Sequence, residues 1–502
     1  MWLDDLIGYI SPKAGSERYA ARLAMEALRK RDYDGADKGR RRDGWRARGT
    51  SANTEIGRAG PLLRDRANDL VRNNPYAKKG KRAYVTHAIG TGIKARPDTG
   101  SDRVNRLLTE IWDEWSAGCY GPARLNFGGV QGLVAGTRFV TGECLIRFVQ
   151  TPATDGRRVP LQLQVLEPDH LDTTRTAPGE PANRVVQGIE YDTLERPVAY
   201  WLFPEHPGEA LSLRPRRTTQ SVRVPAADVL HVYRVDRPGQ SRGVTEFDAA
   251  IGKLRDLDDY DNAEIVRKQI AACLAAFVKT ADGNPLGTQS AEAATGAILE
   301  KLRPGMIGYL KPGEDVTVAT PPRDTGAGEF DRRLLYAIAS GLGITYEQLT
   351  SDLRQVNYSS YRAGLIDFRA MVEDDRWNVY VPMLCQPVWA RVMKTASIAG
   401  LVKKPYYPVE WVPQAFQSVD PKKDADADEK MLRIGTKTLR QAIAEQGYNP
   451  DEQLEQIAET NQKLDELGIV SDADPRKVGR NGSAPAADPA TQPTQEAANA
   501  QV

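Results

Sequence analysis

The chain has 502 residues, with 68 basic and 67 acidic side chains, a formal net charge of +1 and 40% hydrophobic residues; its mean hydropathy is -0.51. Such a length accommodates roughly three domains, while the near-neutral balance excludes a chain that grips nucleic acid by bulk charge, because phosphate-driven binding needs clustered Lys and Arg. The cysteines Cys119, Cys144, Cys273 and Cys385 lie far apart with no C-x-x-C spacing, which reads as buried free thiols in a reducing cytosol and not as zinc or redox chemistry.

The opening MWLDDLIGYISPK lacks a basic region followed by an apolar one, so no secretory signal is expected. No apolar run approaches the ~18 residues of a membrane span. RYAARLAMEALRKR has helical spacing, and DYDGADKGRRRDGWRARGT after it reads as a solvated basic arm. A helical region follows with Leu62, Leu63, Leu70 and Val71 on its apolar side, broken at VRNNPYAKK by Asn-Pro. Gly90 and Gly92 in IGTGIKA partly mimic a dinucleotide fingerprint, but Arg96-Pro97-Asp98 stands where the helix should start, so a tight turn is the better account.

From about Phe127 to Val235 short β-branched and aromatic runs, including TRFVTGECLIRFVQ, LQLQVLEPD and VLHVYRV, predict strands of a mixed α/β domain. YDTLERPVAYWLF reads as a hairpin with its tip at residues 193–196. From Gly243 a helix of some thirty residues is expected, running past Phe277, with acidic residues off its apolar face. A short helix, AEAATGAILEKL, and two strands around a Pro-Gly turn come next, then a second helix over residues 329–340. The polar, uncapped segment TYEQLTSDLRQVNYSSYR leads to a long helix ending near Ser397, in which Pro382 and Pro387 predict a kink and Ser359 or Ser360 the N-cap. Two short helices split at GYNP close the ordered part, and the Ala-, Pro- and Gln-rich end after Val470 reads as disordered. No internal repeat is present.

No catalytic or cofactor arrangement emerges. The chain has no G-x-x-x-x-G-K-[ST], which argues against a P-loop motor. Asp424, Asp426 and Asp428 alternate like the start of an EF-hand, but the turn glycine is missing and Gly435 replaces the twelfth-position Glu, so a solvated acidic segment is the better reading. The carboxylates of RDLDDYDNAE have no His or Cys nearby, which weakens a two-metal nuclease reading. His87, His170, His206 and His231 sit apart and read as structural. Neither catalytic residue, metal nor cofactor is expected, and the chain reads as a structural or interaction protein.

Several stretches in consistent order resemble the portal (head–tail connector) proteins of tailed bacteriophages, of the lambda-type family: RDRANDLVRNNPYAKKGKRAYVTHAIGTGI, GECLIRF with LQVLEPDHLD, GIEYDTLERPVAYWLF, VPAADVLHVYRVDRPGQSRGVTEFDAAI, and YAIASGLGITYEQLTSDLRQVNYSSYRAGLIDFRA. The likeness runs colinearly over residues 64–468, which is more specific than any one motif. It implies an α+β, ring-forming portal fold: an N-terminal helix and basic arm (1–60), an α/β wing (61–242), stem helices (243–280 and 325–345) flanking an α/β clip insert (281–324), a tunnel loop (346–358), a kinked wing helix (359–400), a helical crown (401–470) and a disordered tail (471–502). It further implies a homo-dodecamer at one capsid vertex of the virion, assembled in the host cytoplasm. That ring would conduct double-stranded DNA without sequence preference and dock the terminase large subunit, major capsid or scaffolding protein and head-completion proteins.

On that resemblance Leu349, Leu353 and Val356 are expected to supply apolar contact at the tunnel loop, and Arg354, Gln355 and Asn357 polar contact; packing against the neighbouring subunit remains the alternative. Some of Asp256, Asp258, Asp259, Asp261 and Glu264 are expected to face or flank the channel, since a ring multiplies any axial cation into a phosphate trap. Motor docking falls to the clip at Asn284, Glu300, Lys301, Arg303, Lys311 and Glu314. A ring-forming baseplate or tail-adaptor protein that conducts no DNA is the alternative, and a nuclease or hydrolase comes third.

Overall fold

In the computed structural model the structure describes residues 49–122, 124–176, 183–209, 220–272, 276–279, 307–310, 327–354, 356–417 and 420–469. The chain divides into two units, Met1–Ser51 and Ala52–Val502, and every element below belongs to the second. The expected N-terminal helix and arm up to residue 48, most of the clip and the C-terminal tail lie outside the described residues; residues 52–60 of that expected arm belong to the first helix below.

Helix α1 (Ala52–Asn73) ends where Asn74 and Pro75 begin α2 (Pro75–Ala88). Proline suits the first helical position because its missing N–H is an orphan there, and the Asn74 carboxamide accepts from Ala77 N–H at 3.0 Å. Ala77, Gly80, Tyr84 and Ala88 recur on one buried face of α2. The turn after it is the expected one: Gly90 and Gly92 have φ of 59° and 115°, and Gly92 passes so near Gly128 that a Cβ would sit 2.9 Å from its Cα.

After β1 (Lys94–Pro97), α3 (Asp102–Ala117) buries Leu108, Ile111, Trp112 and Trp115. The next element corrects the sequence expectation of strand from Phe127 onward. Residues Phe127–Thr141 form helix α4, capped by Asn126 accepting from Gly129 N–H at 2.8 Å and stopped by Gly142 at φ 91°. Ten of its fifteen residues are buried, so tertiary burial overrides the weak helix propensity of a Gly- and Val-rich run and hides the amphipathic period.

Strand β2 (Glu143–Gln150) lies between β3 (Leu161–Leu166) and β8 (Val229–Tyr233), antiparallel to both. A second sheet, β4 (Arg184–Val186), β5 (Ile189–Tyr191), β6 (Pro197–Leu202) and β7 (Val222–Pro225), is an antiparallel meander, and its β5–β6 turn falls where the hairpin tip was expected. There the Asp192 carboxylate accepts from the Leu194 and Arg196 amides, an Asx-type turn.

Helix α5 (Ile251–Ala272) is shorter than expected, because Ala276–Lys279 is strand β9, paired in parallel with β10 (Ile307–Leu310); Phe277 is therefore in a strand. Helix α6 (Ala327–Gly341) packs on α5. The long helix is α8 (Tyr358–Asp375), a π-helical stretch Arg376–Cys385 and α9 (Gln386–Ile398), numbered to follow the short α7 (Tyr346–Thr350). Pro382 lies within the π-helical stretch, and Pro387 is the second residue of α9, where the backbone runs helically on from Cys385 and Gln386.

Strand β11 (Val409–Val412), within the span expected for the crown, pairs antiparallel with β1. It brings Trp411 to Trp112, whose ring also lies 5.1 Å from those of Trp115 and Trp389. Helices α10 (Pro421–Arg433), α11 (Leu439–Glu445) and α12 (Pro450–Glu466) follow, the last two split at GYNP as read. The Asp424–Asp428 segment lies in α10, which buries none of its residues. Among the described residues no helix is long and apolar enough to cross a membrane.

Candidate functional site

The segment between α6 and α8 is short and tightly held, which corrects the expectation of an uncapped loop. A capping box opens α7: Thr345 Oγ1 accepts from Gln348 N–H at 3.2 Å, and Gln348 Oε1 accepts from Thr345 N–H at 3.0 Å. Ser351 ends α7 in the left-handed region at φ 60°. On the far side Asn357, and neither expected serine, caps α8: its carboxamide oxygen accepts from Ser360 N–H at 2.8 Å. The exposed connection is thereby reduced to residues 351–356.

Within it the side chains divide sharply. Leu349 is 1% exposed, sharing the pocket over Gly80 with Leu342 and Ile344; it anchors the segment to α2 and leaves surface contact to others. Leu353 is 62% exposed, Arg354 and Asn357 are exposed, and Val356 is half-buried. Gln355 lies outside the described residues. Arg354 does not project a bare charge. Its Nε and Nη2 donate to Asp352 Oδ1 and Oδ2, both at 2.9 Å, and its backbone N–H reaches Oδ1 at 3.1 Å. These bonds, with Arg332 nearby, hold the Asp352 carboxyl well below the usual range.

The five α5 carboxylates separate into groups. Asp256 and Asp259 are exposed; Asp259 pairs with Arg255 at 3.0 Å, while Asp256 has no ion pair among the described residues. Asp258 accepts from the Asn74 side chain at 2.8 Å, tying α5 to the α1–α2 corner. Burial, and then Asp258, pushes the Asp261 carboxyl up. Glu264 is held down by hydrogen bonds from Arg267, with Lys268 also close. Among the described residues of α5 the buried apolar side chains are Ile251, Leu254 and Leu257; further along, Ile265 and Val266 are half exposed. The clip residues Asn284, Glu300, Lys301, Arg303, Lys311 and Glu314 lie outside the described residues.

Sequence reasoning missed two buried networks that fix this region. Arg138 of α4, 1% exposed, donates to Asp375 at 2.7 Å, Glu246 at 2.9 Å and the Tyr380 hydroxyl at 2.8 Å. It thereby joins α4, the start of the π-helical stretch and the segment entering α5. Burial raises the Glu246 carboxyl, although Arg138 and Arg234 oppose it. The second network centres on Glu143. Burial would raise its carboxyl, but Arg242, bonded through Nε at 2.8 Å, and His231 at 2.8 Å outweigh that and depress it strongly. The only signal in the sequence was a lone Arg in the apolar run GGVQGLVAGTRFVTG.

Glu167, Asp169 and His206 also converge, their ligand atoms within 4.8 Å of one another. Asp169 already pairs with Arg64 at 3.0 Å. His206 Nδ1 accepts from Gly208 N–H at 3.0 Å, so the neutral ring carries its proton on Nε2, the nitrogen 3.3 Å from Glu167. The ring's Nδ1 and the Asp169 carboxylate are thus already engaged, which makes the three a poor ligand set.

Residues 38–376 match the family model described as "Phage portal protein, lambda family". The chain is 30% identical over 432 residues to a "Probable portal protein" of Halomonas phage phiHAP-1, covering 81% of each. It is 23% identical to "Portal protein B" of Escherichia phage lambda, covering 79% of this chain and 83% of that one. Among solved structures, a chain of "Virion of native gene transfer agent (GTA) particle" overlays with a TM-score of 0.39 at 14% identity, covering 80% of this chain and 95% of the other.

Proposed function

The chain belongs to the lambda family of phage portal proteins, and from that premise we propose that its copies form a dodecameric ring at one capsid vertex, through which double-stranded DNA passes during packaging and ejection. The role is structural: the ring seats the motor and does not power it. The observation that carries this reading is the family match over residues 38–376 together with identity spanning 81% of a portal relative.

The physical features agree with it. Helices α5 and α6 pack as the stem pair. The outer part of α5 exposes Ile265 and Val266, apolar surface of the kind that a neighbouring copy covers in an assembly. The 351–356 connection is the tunnel loop, braced by Leu349 and the capping box, with Leu353 at its tip. Asp256 and Asp259 on the exposed face of α5 keep phosphates from being trapped along the passage. The clip receives the terminase large subunit and later the head-completion proteins, while the capsid or scaffolding protein contacts the ring's outer side.

Negative-stain electron microscopy of the purified chain tests the reading: turbine-like rings with an open bore are expected. Rings without a bore would favour a baseplate or tail-adaptor role, and compact monomers under all assembly conditions would refute both.

A further inference from the structure

Resting on the tunnel-loop reading, we infer that Asp352 is a built-in charge mask, a carboxylate that cancels Arg354 at the loop tip so that the ring presents no phosphate trap where the chain approaches DNA most closely.

The geometry is specific. Residues 352–354 read Asp-Leu-Arg, and Ser351 turns the chain at φ 60° so that the first and third side chains fold back on each other. The guanidinium meets the carboxylate through two parallel bonds of 2.9 Å, the fork geometry that is the strongest arrangement such a pair takes. Asp352 is 17% exposed and Arg354 85% exposed. The carboxylate is thus held from below by the protein while the cation lies over it, facing solvent. Leu353 between them points outward, 62% exposed, leaving an apolar tip above a neutral pair.

A phosphate approaching Arg354 must compete with a carboxylate already in bidentate contact. Beyond a Debye length, about 8 Å at physiological salt, the pair has little field. Removing Asp352 alone would add one positive charge per copy, all at one height in the ring. Each phosphate thus engaged adds about 0.9 to the slope of log K against log salt, which is about a 3- to 4-fold loss of binding for each contact between 50 and 200 mM salt.

The test uses purified full-chain rings and two DNA probes, a short linear duplex that can thread and a closed circle that cannot. Asp352→Asn keeps an oxygen to accept the Arg354 N–H and removes only the charge. It is expected to retain the linear duplex at 50 mM salt, with the steepened salt slope, and to leave the circle unretained. Asp352→Glu is expected to behave as the unsubstituted ring, and the Asp352→Asn, Arg354→Ala double variant to lose the gain. A gain that survives in the double variant would overturn the mask, since a loosened loop and not the bared Arg354 would then be responsible. Equal gains on linear and circular DNA would put the loop outside the passage and overturn the tunnel-loop reading itself. To separate these failures, Leu353→Cys carrying a benzophenone maleimide is irradiated with the linear duplex and compared with the same reagent on unsubstituted rings. Cross-linking at position 353 without any gain in Asp352→Asn would leave the passage standing and sink the mask alone.

Discussion

Replacing Arg138 by Met isolates what a buried cation contributes to the joint between α4, α5 and the π-helical stretch. Met has a similar stem length and removes the guanidinium that reaches Asp375 and Glu246 at 2.7 and 2.9 Å. Asp375 is 4% exposed and Glu246 17% exposed at the side chain; Asp375 is left without its cation in the interior, while Glu246 keeps Arg234 at 3.5 Å. Breaking a buried pair on one side costs about 3–5 kcal/mol, most of it the penalty of the uncompensated charge. At roughly 2–4 °C per kcal/mol for large domains, a drop of about 6–20 °C in melting temperature is expected, read by circular dichroism at fixed protomer concentration because assembly shifts apparent stability. Adding Asp375→Asn to Arg138→Met neutralises the more deeply buried carboxylate, and the double variant should melt above the single one. If the second substitution brings no recovery, the cost comes from lost packing and hydrogen bonds, and the charge argument fails. A loss below about 1 kcal/mol in the single variant would equally refute it, since that is the range of exposed pairs.

Three further outcomes are expected. Gly243→Ala places a Cβ 2.1 Å from the Gly142 carbonyl oxygen, against backbone that cannot swing away, so yield or melting temperature should fall sharply, whereas Gly252→Ala on α5, where a Cβ meets nothing within 4 Å, should stabilise by about 0.5–1 kcal/mol. Thr345→Ala removes the capping box, costs about 1 kcal/mol and should speed trypsin cleavage after Arg354, followed by mass spectrometry; an unchanged cleavage rate would count against the cap as the brace of the loop. Hydrogen bonds from Arg223 depress the Glu190 carboxyl, so its stabilisation is complete above the ordinary value of about 4.3 and fades as pH falls through the lower folded value; Glu190→Gln should flatten the decline in melting temperature below about pH 4.5, and an identical decline would refute that contribution.

How far these features could be foreseen depended on whether a local signal existed. The Asn74-Pro75 break, the GYNP split and the 192–196 turn were legible because turn chemistry is written in two or three adjacent residues. Helix α4 was misread because burial on nearly all sides erases the period from which a helix is recognised. The strand at Ala276–Lys279 was hidden because its partner is Ile307–Leu310: that partner falls in a stretch read as strand before a Pro-Gly turn, but a pairing across such an interval leaves no mark on Ala276–Lys279. The polar segment between α6 and α8 stood out by its composition, but its caps did not: Thr345 with Gln348 fits the capping-box spacing and went unread, and Asn357 was passed over for the serines beside it. The anchoring role of Leu349 and the masking of Arg354 needed three dimensions, since only the fold says which leucine turns inward.

The pairing of Lys94–Pro97 with Val409–Val412 has a bearing on how the protein is made. Strand β1 leaves the ribosome some three hundred residues before its partner, and at about 5–20 residues per second its open edge waits tens of seconds for closure. Until β11 arrives, Trp112 lacks its contact with Trp411, and a nascent chain on the same message offers an equivalent strand. Late closure exposes the newborn polypeptide to strand exchange between copies, so chaperone demand should concentrate on chains stalled before residue 409.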